Sequence, residues 1–506
     1  MNKNMHVDPP KSALAKIRMF LWPIYGREHL KFLPMTLMIS LILFNYTVLR
    51  NMKDTLVITA TEGSEVIVFL KSWGVLPSAI LFFFIYSKLS NLLKRQTLFY
   101  VTVSFFLLYF AVFALVLYPH QTLLHPHQSA DWLITHLPAG LKSFVNMYKY
   151  WSFSIFYILA ELWGSVVSAL LFWQLANSIV KVSEAKRFYA HFYLLANLAT
   201  AFSGIVSAHF SKKGMNIEDP IASYGVTVNY LVWTVVGCGL VVMFLYYYLD
   251  KYVIPDPTLV DPSESLPTKK KLKMGMKDSI NFILHNKYLG WIALLVICYG
   301  ISINLVEVAW KNQVGLFLPN PSDKQAFFGM YSTIAGLSTV AVILIGGGLM
   351  RWLGWKVAAL LTPIVIGVTG SLFFYFMIFD KSAAALVTGL GTTALAFAVY
   401  MGALQVILSK STKYALFDPT KEMTYIPLDE ESKVKGKAAV DVVGGRLGKA
   451  GGAFLQQAML IFIGPMAVIA PYSAIAMIIF VLIWIVAVFK LHTLFVQAGG
   501  EKAWNE

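Results

Sequence analysis

Charge is what this chain has least of. Of its 506 residues only 13% are Asp, Glu, Lys or Arg, where a soluble domain carries about a quarter. Cysteine is scarce as well: Cys238 and Cys298 both fall inside apolar runs, which excludes a disulfide framework and reads both as small core residues. The ten histidines are scattered without metal-ligand spacing, and no nucleophile elbow or metal-holding acid cluster stands out. Catalysis, a bound metal and a cofactor are therefore not expected. The opening "MNKNMHVDPPKSALAKIRMF" is polar and basic, with no apolar core ahead of a small-residue cleavage site, so no removable signal peptide is expected.

What the chain has in excess is apolar length. Hydrophobic residues make up 58% and aromatics 15%, and stretches of about 20 apolar residues, enough to cross a bilayer as a helix, recur throughout. The fold class is an all-α polytopic membrane protein. The pattern predicts twelve spans, at roughly 31–52, 66–88, 98–118, 150–180, 186–209, 226–249, 286–310, 325–350, 355–378, 383–409, 437–465 and 469–494.

The formal charge is +15, with 41 Lys and Arg against 26 Asp and Glu. Its placement argues against nucleic acid as a partner. Roughly 29 of the basic residues fall on the face shared by both termini, and about six or seven on the other. Basic short loops stay in the cytoplasm, so a multi-pass protein of the cell inner membrane with both termini cytoplasmic is expected. The lipid bilayer is then its constant partner.

The longest polar interruption, "DKYVIPDPTLVDPSESLPTKKKLKMGMKDS", separates two groups of six spans. "NYTVLRNMKD" in the first span is echoed by "INLVEVAWKNQ" in the seventh, and "EAKRFYAHFYLLANLATAFSG" by "VKGKAAVDVVGGRLGKAGGAF". The expected plan is a 1–30 segment, a 31–249 half, a 250–285 linker, a 286–494 half and a 495–506 tail. Two joined six-helix halves are the major-facilitator arrangement, with substrate held near the midplane between them. One chain then forms a whole pathway, so a functional monomer is expected.

A charge inside a membrane helix costs a few kcal/mol and usually lines a cavity. Arg50 and Lys53 lie three apart at the end of the first span, Lys71 in the second, Glu161 in the fourth, and Glu307 and Lys311 four apart in the seventh, where they could pair with each other. Snorkelling from a helix end is the alternative for Arg50, Lys53 and Lys311, and a structural ion pair is the alternative for Glu161. Asp441 begins its span and reads as a cap or local partner.

The run "VVGGRLGKAGG" invites a phosphate-loop reading, which fails: Val443 stands where the first glycine is needed and Ala450 where the hydroxyl is needed. Gly444, Gly448 and Gly452 instead repeat every four residues, a spacing that lets membrane helices approach closely. Arg446 and Lys449 would project beside them, suited to phosphate oxygens. Interior cations outnumber interior acids, so the substrate is an anion. Tyr150, Trp151, Trp163, Trp310 and Trp355 could stack on a base, or belong to interfacial aromatic belts.

Lys410 to Gly452, "KSTKYALFDPTKEMTYIPLDEESKVKGKAAVDVVGGRLGKAGG", resembles the hallmark segment of the nucleotide transporters of obligate intracellular bacteria and plastids. So do "NYTVLRNMKDTLVITATEGSEVIVFLKSWGVLPSA" and "YILAELWGS", and the likeness covers nearly the whole chain. The resemblance implies twelve helices and exchange of ATP for ADP by alternating access, with inorganic phosphate a further candidate passenger. Proton-coupled import and exchange of other nucleotides are the alternatives within the family. It also implies that four charges matter for transport, and by motif these fall on Lys71, Glu161, Glu307 and Lys449. Ala450 replaces a serine common among relatives, and "VDVVGGR" a form richer in alanine. The expected mechanism has Lys71, Lys449 and Arg446 neutralise the phosphates, with Glu161 and Glu307 pairing with these cations when the site is empty.

Overall fold

The computed structural model describes residues 24–214, 217–260, 285–429, 436–437, 440 and 444–499. Their long helices are α1 (Gly26–Ala60), α2 (Glu65–Leu92), α3 (Arg95–Leu117), α4 (Trp151–Ile179), α5 (Ser183–Ser211), α6 (Pro220–Val253), α7 (Lys287–Phe317), α8 (Pro321–Ile345), α9 (Trp352–Ile378), α10 (Ala394–Met423), α11 (Gly445–Phe462) and α12 (Met466–Gln497). All except α11 are long and apolar enough to cross a membrane. Helix is the natural state of such segments, because in hydrocarbon every backbone amide must find its partner within the segment.

Polar side chains mark where several helices begin. The Asp219 carboxylate accepts from the amides of Ile221 and Ala222 ahead of α6, and Asn286 does the same for Tyr288 and Leu289 of α7. Asn320 caps α8 through Ser322, and Thr393 caps α10 through Ala396. Each satisfies amides that have no partner inside the helix. The tenth span departs from the expected 383–409. Residues Asp380–Thr388 form a separate short helix, and α10 starts only at Ala394. Gly391, in the left-handed region at φ 67°, breaks the run between them. Hydrophobicity continues across that break, so apolar length alone cannot locate it.

Helices α1 to α6 share one core, from Ile24 through Phe106, Trp163 and Val235 to Val260. A second core joins α7 to α12, and it also takes in Val57, Ile58 and Val66 to Leu70 from the α1–α2 turn. The halves therefore meet at the ends remote from the termini. There Ser64 donates to the Val308 carbonyl, Glu65 accepts from the Met466 amide, and Lys324 donates to Thr59. Farther along the seam, Asn51 donates to Ser332 and Thr55 to Gln325. Helices α5 and α8 touch backbone to backbone, a Cβ on Gly204 falling 2.3 Å from the Gly329 carbonyl oxygen.

On the terminal face, Lys31 is fully buried against Glu184 at 2.6 Å and also donates to the Leu259 carbonyl. Arg187 grips Glu28 with both guanidinium nitrogens, at 2.8 and 2.9 Å. Arg27 reaches Asp256 at 3.0 Å. The chain leaving α6 is thereby tied back under α1 and α5.

Candidate functional site

Five charged side chains from three helices form one chain of ion pairs that runs between the two halves. Glu161 on α4 meets Lys53 on α1 at 3.0 Å, and Lys53 meets its neighbour Asp54 at 2.8 Å. Asp54 continues to Lys311 on α7 at 2.8 Å, and Lys311 to Glu307 one turn earlier at 3.2 Å. The Asp54–Lys311 bond joins the two halves. Lys53 also lies 3.7 Å from the centre of the Tyr157 ring, whose electron-rich face is a further partner for an ammonium.

Burial divides these residues. The side chains of Lys53, Asp54 and Lys311 are 1%, 5% and 4% exposed, whereas Glu161 and Glu307 are 26% and 20% exposed. Snorkelling is thus excluded for Lys53 and Lys311. Helix α1 continues to Ala60 and α7 to Phe317, so neither lysine is at a helix end. They are neutralised inside the protein, where removing one member of a pair strands the other charge at roughly 3–5 kcal/mol.

Three further cations beside this chain have no carboxylate in ion-pair contact among the described residues. Lys71 donates to Asn304 Oδ1 at 2.7 Å, and Lys410 on α10 to the Tyr331 hydroxyl at 2.7 Å. Arg50 lies one turn before Lys53 and Asp54 on α1 and is half-buried. All three are within electrostatic reach of Glu307. Counting Arg50, Lys53, Lys71, Lys311 and Lys410 against Asp54, Glu161 and Glu307, five cations face three acids, a surplus suited to an anion.

Local helix geometry aims two of these groups. Lys71 lies in a π-helical turn, Leu70–Val75, and Glu161 just before another, Gly164–Phe172. Such turns rotate side chains out of the regular register and recur at functional sites. Gly164 leaves room for the Tyr46 ring, which a Cβ there would meet at 2.6 Å.

The glycine run on α11 packs against α7. A Cβ on Gly300 would fall 2.7 Å from Gly448, and Gly452 rests on Asn304 and Ile301. The same Asn304 that receives Lys71 donates to the backbone carbonyl of Lys449 at 3.4 Å, joining α2, α7 and α11. Lys449 itself is exposed. Arg446 is on α11, but its side chain lies outside the described residues, as does Asp441.

Several expectations change at this point. Glu307 pairs with Lys311, as their four-residue spacing allows, while Glu161 pairs with Lys53, and neither acid forms an ion pair with Lys71 or Lys449 among the described residues. Trp163 and Trp310 are core residues and leave the site. Trp163 is fully buried among Phe106 and Phe110 and donates to the Ile42 carbonyl, while Trp310, 1% exposed, donates to Val399. Trp355 is buried too, stacked on His492 and Phe495. Tyr150 stacks on Phe153 beside the loop between α3 and α4, and Trp151 donates to the Leu124 carbonyl there. A buried aromatic and a ligand-facing one look alike in a chain this rich in both. Asp54, Asn304 and Lys410 were missed by sequence reasoning. Asp54 follows a lysine and reads as its local partner, while Lys410 looks like the end of a span until α10 is seen to extend to Met423.

The profile of the TLC ATP/ADP transporter family matches residues 7–495. The chain belongs to this family. Among its relatives, ADP,ATP carrier protein 1 of Chlamydia muridarum is 47% identical, over 97% of this chain and 93% of that protein. ADP,ATP carrier protein 1 of Rickettsia typhi is 42% identical, over 96% and 98%. The chloroplastic ADP,ATP carrier protein 1 of Arabidopsis thaliana is 45% identical, over 93% and 75%. Among solved structures, a bacterial homologue of the iron transporter ferroportin in an inward-facing state aligns with a TM-score of 0.55 at 14% identity, covering 92% of this chain and 98% of that one. A D-xylose–proton symporter aligns with a TM-score of 0.54 at 13% identity, covering 92% and 97%. This TLC family chain thus shares its overall helical fold with proteins that have little sequence in common with it.

Proposed function

We propose that the protein exchanges ATP for ADP across the cell inner membrane by alternating access between its two halves. The observation that carries this reading is the set Arg50, Lys71 and Lys410, three cations beside the inter-half ion chain with no carboxylate to displace. A nucleotide polyphosphate supplies the negative charge that this set lacks. The relatives named above are ADP,ATP carriers, which supports ATP and ADP as the nucleotides.

The ion chain does a different job. Asp54–Lys311 links the halves near their closed ends, and Glu161 and Glu307 compensate the lysines on either side. Phosphate oxygens arriving at Arg50, Lys71 and Lys410 compete electrostatically with Glu307. The same phosphates attract the Lys311 ammonium away from Asp54, which loosens the link to α1. Rocking of one half against the other then carries the nucleotide across. An empty carrier keeps the full chain of pairs and reorients slowly, which gives exchange in place of net transport. Lys449, exposed beside the Asn304 junction, meets the nucleotide on the α11 side. The excess of Lys and Arg on the face of the termini supports a cytoplasmic position for both, and a single chain serves as the transport unit.

The test is labelled ATP uptake into vesicles holding the purified protein, preloaded with ADP, with another nucleotide or with nothing, with and without a proton gradient. Uptake that requires internal ADP or ATP and ignores the gradient is expected. Uptake into empty vesicles that follows the gradient would overturn exchange in favour of proton-coupled import.

A further inference from the structure

Away from the charged centre, α1, α5 and α6 leave a groove of 620 Å³ between them. Its walls include Leu41 and Phe44 of α1, Phe202 and Val206 of α5, and Thr234 and Cys238 of α6. The lining is overwhelmingly apolar. The opposite face of α5 packs on α8 through Gly204, so the groove opens away from the other half. Phe202 is 59% exposed there. In a membrane protein this surface faces hydrocarbon.

Beyond the end of the groove remote from the termini, the chain carries two cations. His209 is part of the groove's lining, and Lys212 and Lys213 follow directly after α5. All three are exposed, and neither lysine has an ion pair among the described residues. This is the face on which basic residues are rare. Of the acids that come next in the chain, Asp219 is committed to the amides of Ile221 and Ala222, leaving Glu218 as the nearest in sequence. Depth fits as well. Thr47 and Thr200 meet at 3.5 Å, and Asn45 bonds Val235, placing the middles of the three helices at one level. From Phe202 to Lys212 the helix rises about 15 Å, half of a hydrocarbon core of about 30 Å.

We infer that this groove is a binding site for an anionic glycerophospholipid of the leaflet opposite the termini, one acyl chain lying along α1, α5 and α6 and the phosphate resting on Lys212 and Lys213. A chain passing at random over the same surface would need no cations at that depth. Because the groove backs onto α5, the helix that carries the broad contact with α8, its lipid steadies the element on which the halves rock.

The full-length protein, purified from vesicles of phosphatidylcholine with and without phosphatidylglycerol, would be examined by native mass spectrometry for retained lipid. Preferential retention of phosphatidylglycerol is expected. It should fall roughly tenfold when Lys212→Gln and Lys213→Gln are combined, persist when both are changed to Arg, and vanish in Ala199→Phe, which fills the groove. Equal retention of both lipids by the unaltered protein, or unchanged retention by the glutamine pair, would overturn the site. Should Ala199→Phe fail to fold, the exposed lysine pair still decides the matter. Nucleotide exchange is not the readout, so the outcome is independent of the substrate reading.

Discussion

Lys311 of α7 holds the Asp54 carboxylate of α1 at 2.8 Å, and through that contact the two halves share a buried ion pair. Asp54 also serves Lys53 at the same distance. One carboxylate therefore compensates two ammonium groups. Asp54→Asn is expected to lower the thermal stability of the purified protein markedly, by about 3–5 kcal/mol if the lysines stay buried, and to abolish exchange. Adding Lys311→Met removes one stranded charge and should recover most of the stability without recovering exchange. A thermal midpoint unchanged in Asp54→Asn would show that the pair does not hold the halves.

Lys410 offers the opposite case. Its amine bonds a neutral hydroxyl, Tyr331, so its removal strands no carboxylate. Lys410→Met should leave thermal stability within about 1 kcal/mol and raise the KM for ATP about tenfold or more, as loss of a charge-assisted bond to phosphate implies. Lys53→Met, which strands Asp54 and Glu161, should instead fail through stability. If the two variants behave alike, the division into substrate-facing and structural lysines is wrong.

The crossing of α7 and α11 has no room for a side chain. A Cβ on Gly300 would fall 2.7 Å from both Cα and the carbonyl carbon of Gly448. Backbone cannot move aside as a flexible side chain does, so Gly300→Val should cost about 1–3 kcal/mol and separate Asn304 from Lys449. Transport should fall with it. Gly237, with open space about its Cβ position, is the control, and Gly237→Ala should be neutral or slightly stabilising in the same unfolding assay.

His125, in the loop between α3 and α4, is buried and bonds Ser152 through Nε2 at 2.7 Å. Burial pushes its pKa down to about 4, with His127 adding to the effect. The unfolded loop binds its proton near pH 6.5, the folded loop only near 4. Between these values the open form takes up the extra proton, so loop stability is lost as pH falls from about 6.5 towards 4 and is fully present above that window. Hydrogen exchange over residues 118–150 should quicken at pH 5 relative to pH 7 after correction for intrinsic rates. His125→Gln should remove that difference, and its persistence in the variant would assign the effect elsewhere.

The long apolar helices were legible because apolar length is a one-dimensional property. So were Lys71, Glu161, Glu307 and Lys311, since a charge inside an apolar run is conspicuous wherever the run folds. The close approach at Gly444, Gly448 and Gly452 was legible from its spacing, and the helix it meets is α7. Partner choice was legible only for Glu307 and Lys311, four apart on one helix. Glu161 could meet any interior cation, and only the packing of α4 beside α1 gives it to Lys53 and leaves Lys71 to an asparagine. The tryptophans were misread for the same reason, because hydrophobicity does not record which side of a helix is buried when both lipid and core are apolar. Composition and order along the chain thus determined that this protein is a polytopic helical membrane protein with a surplus of positive charge among its interior residues. Tertiary structure alone decided which of those charges are spent on one another, because pairing depends on distances of a few ångströms between helices far apart in sequence.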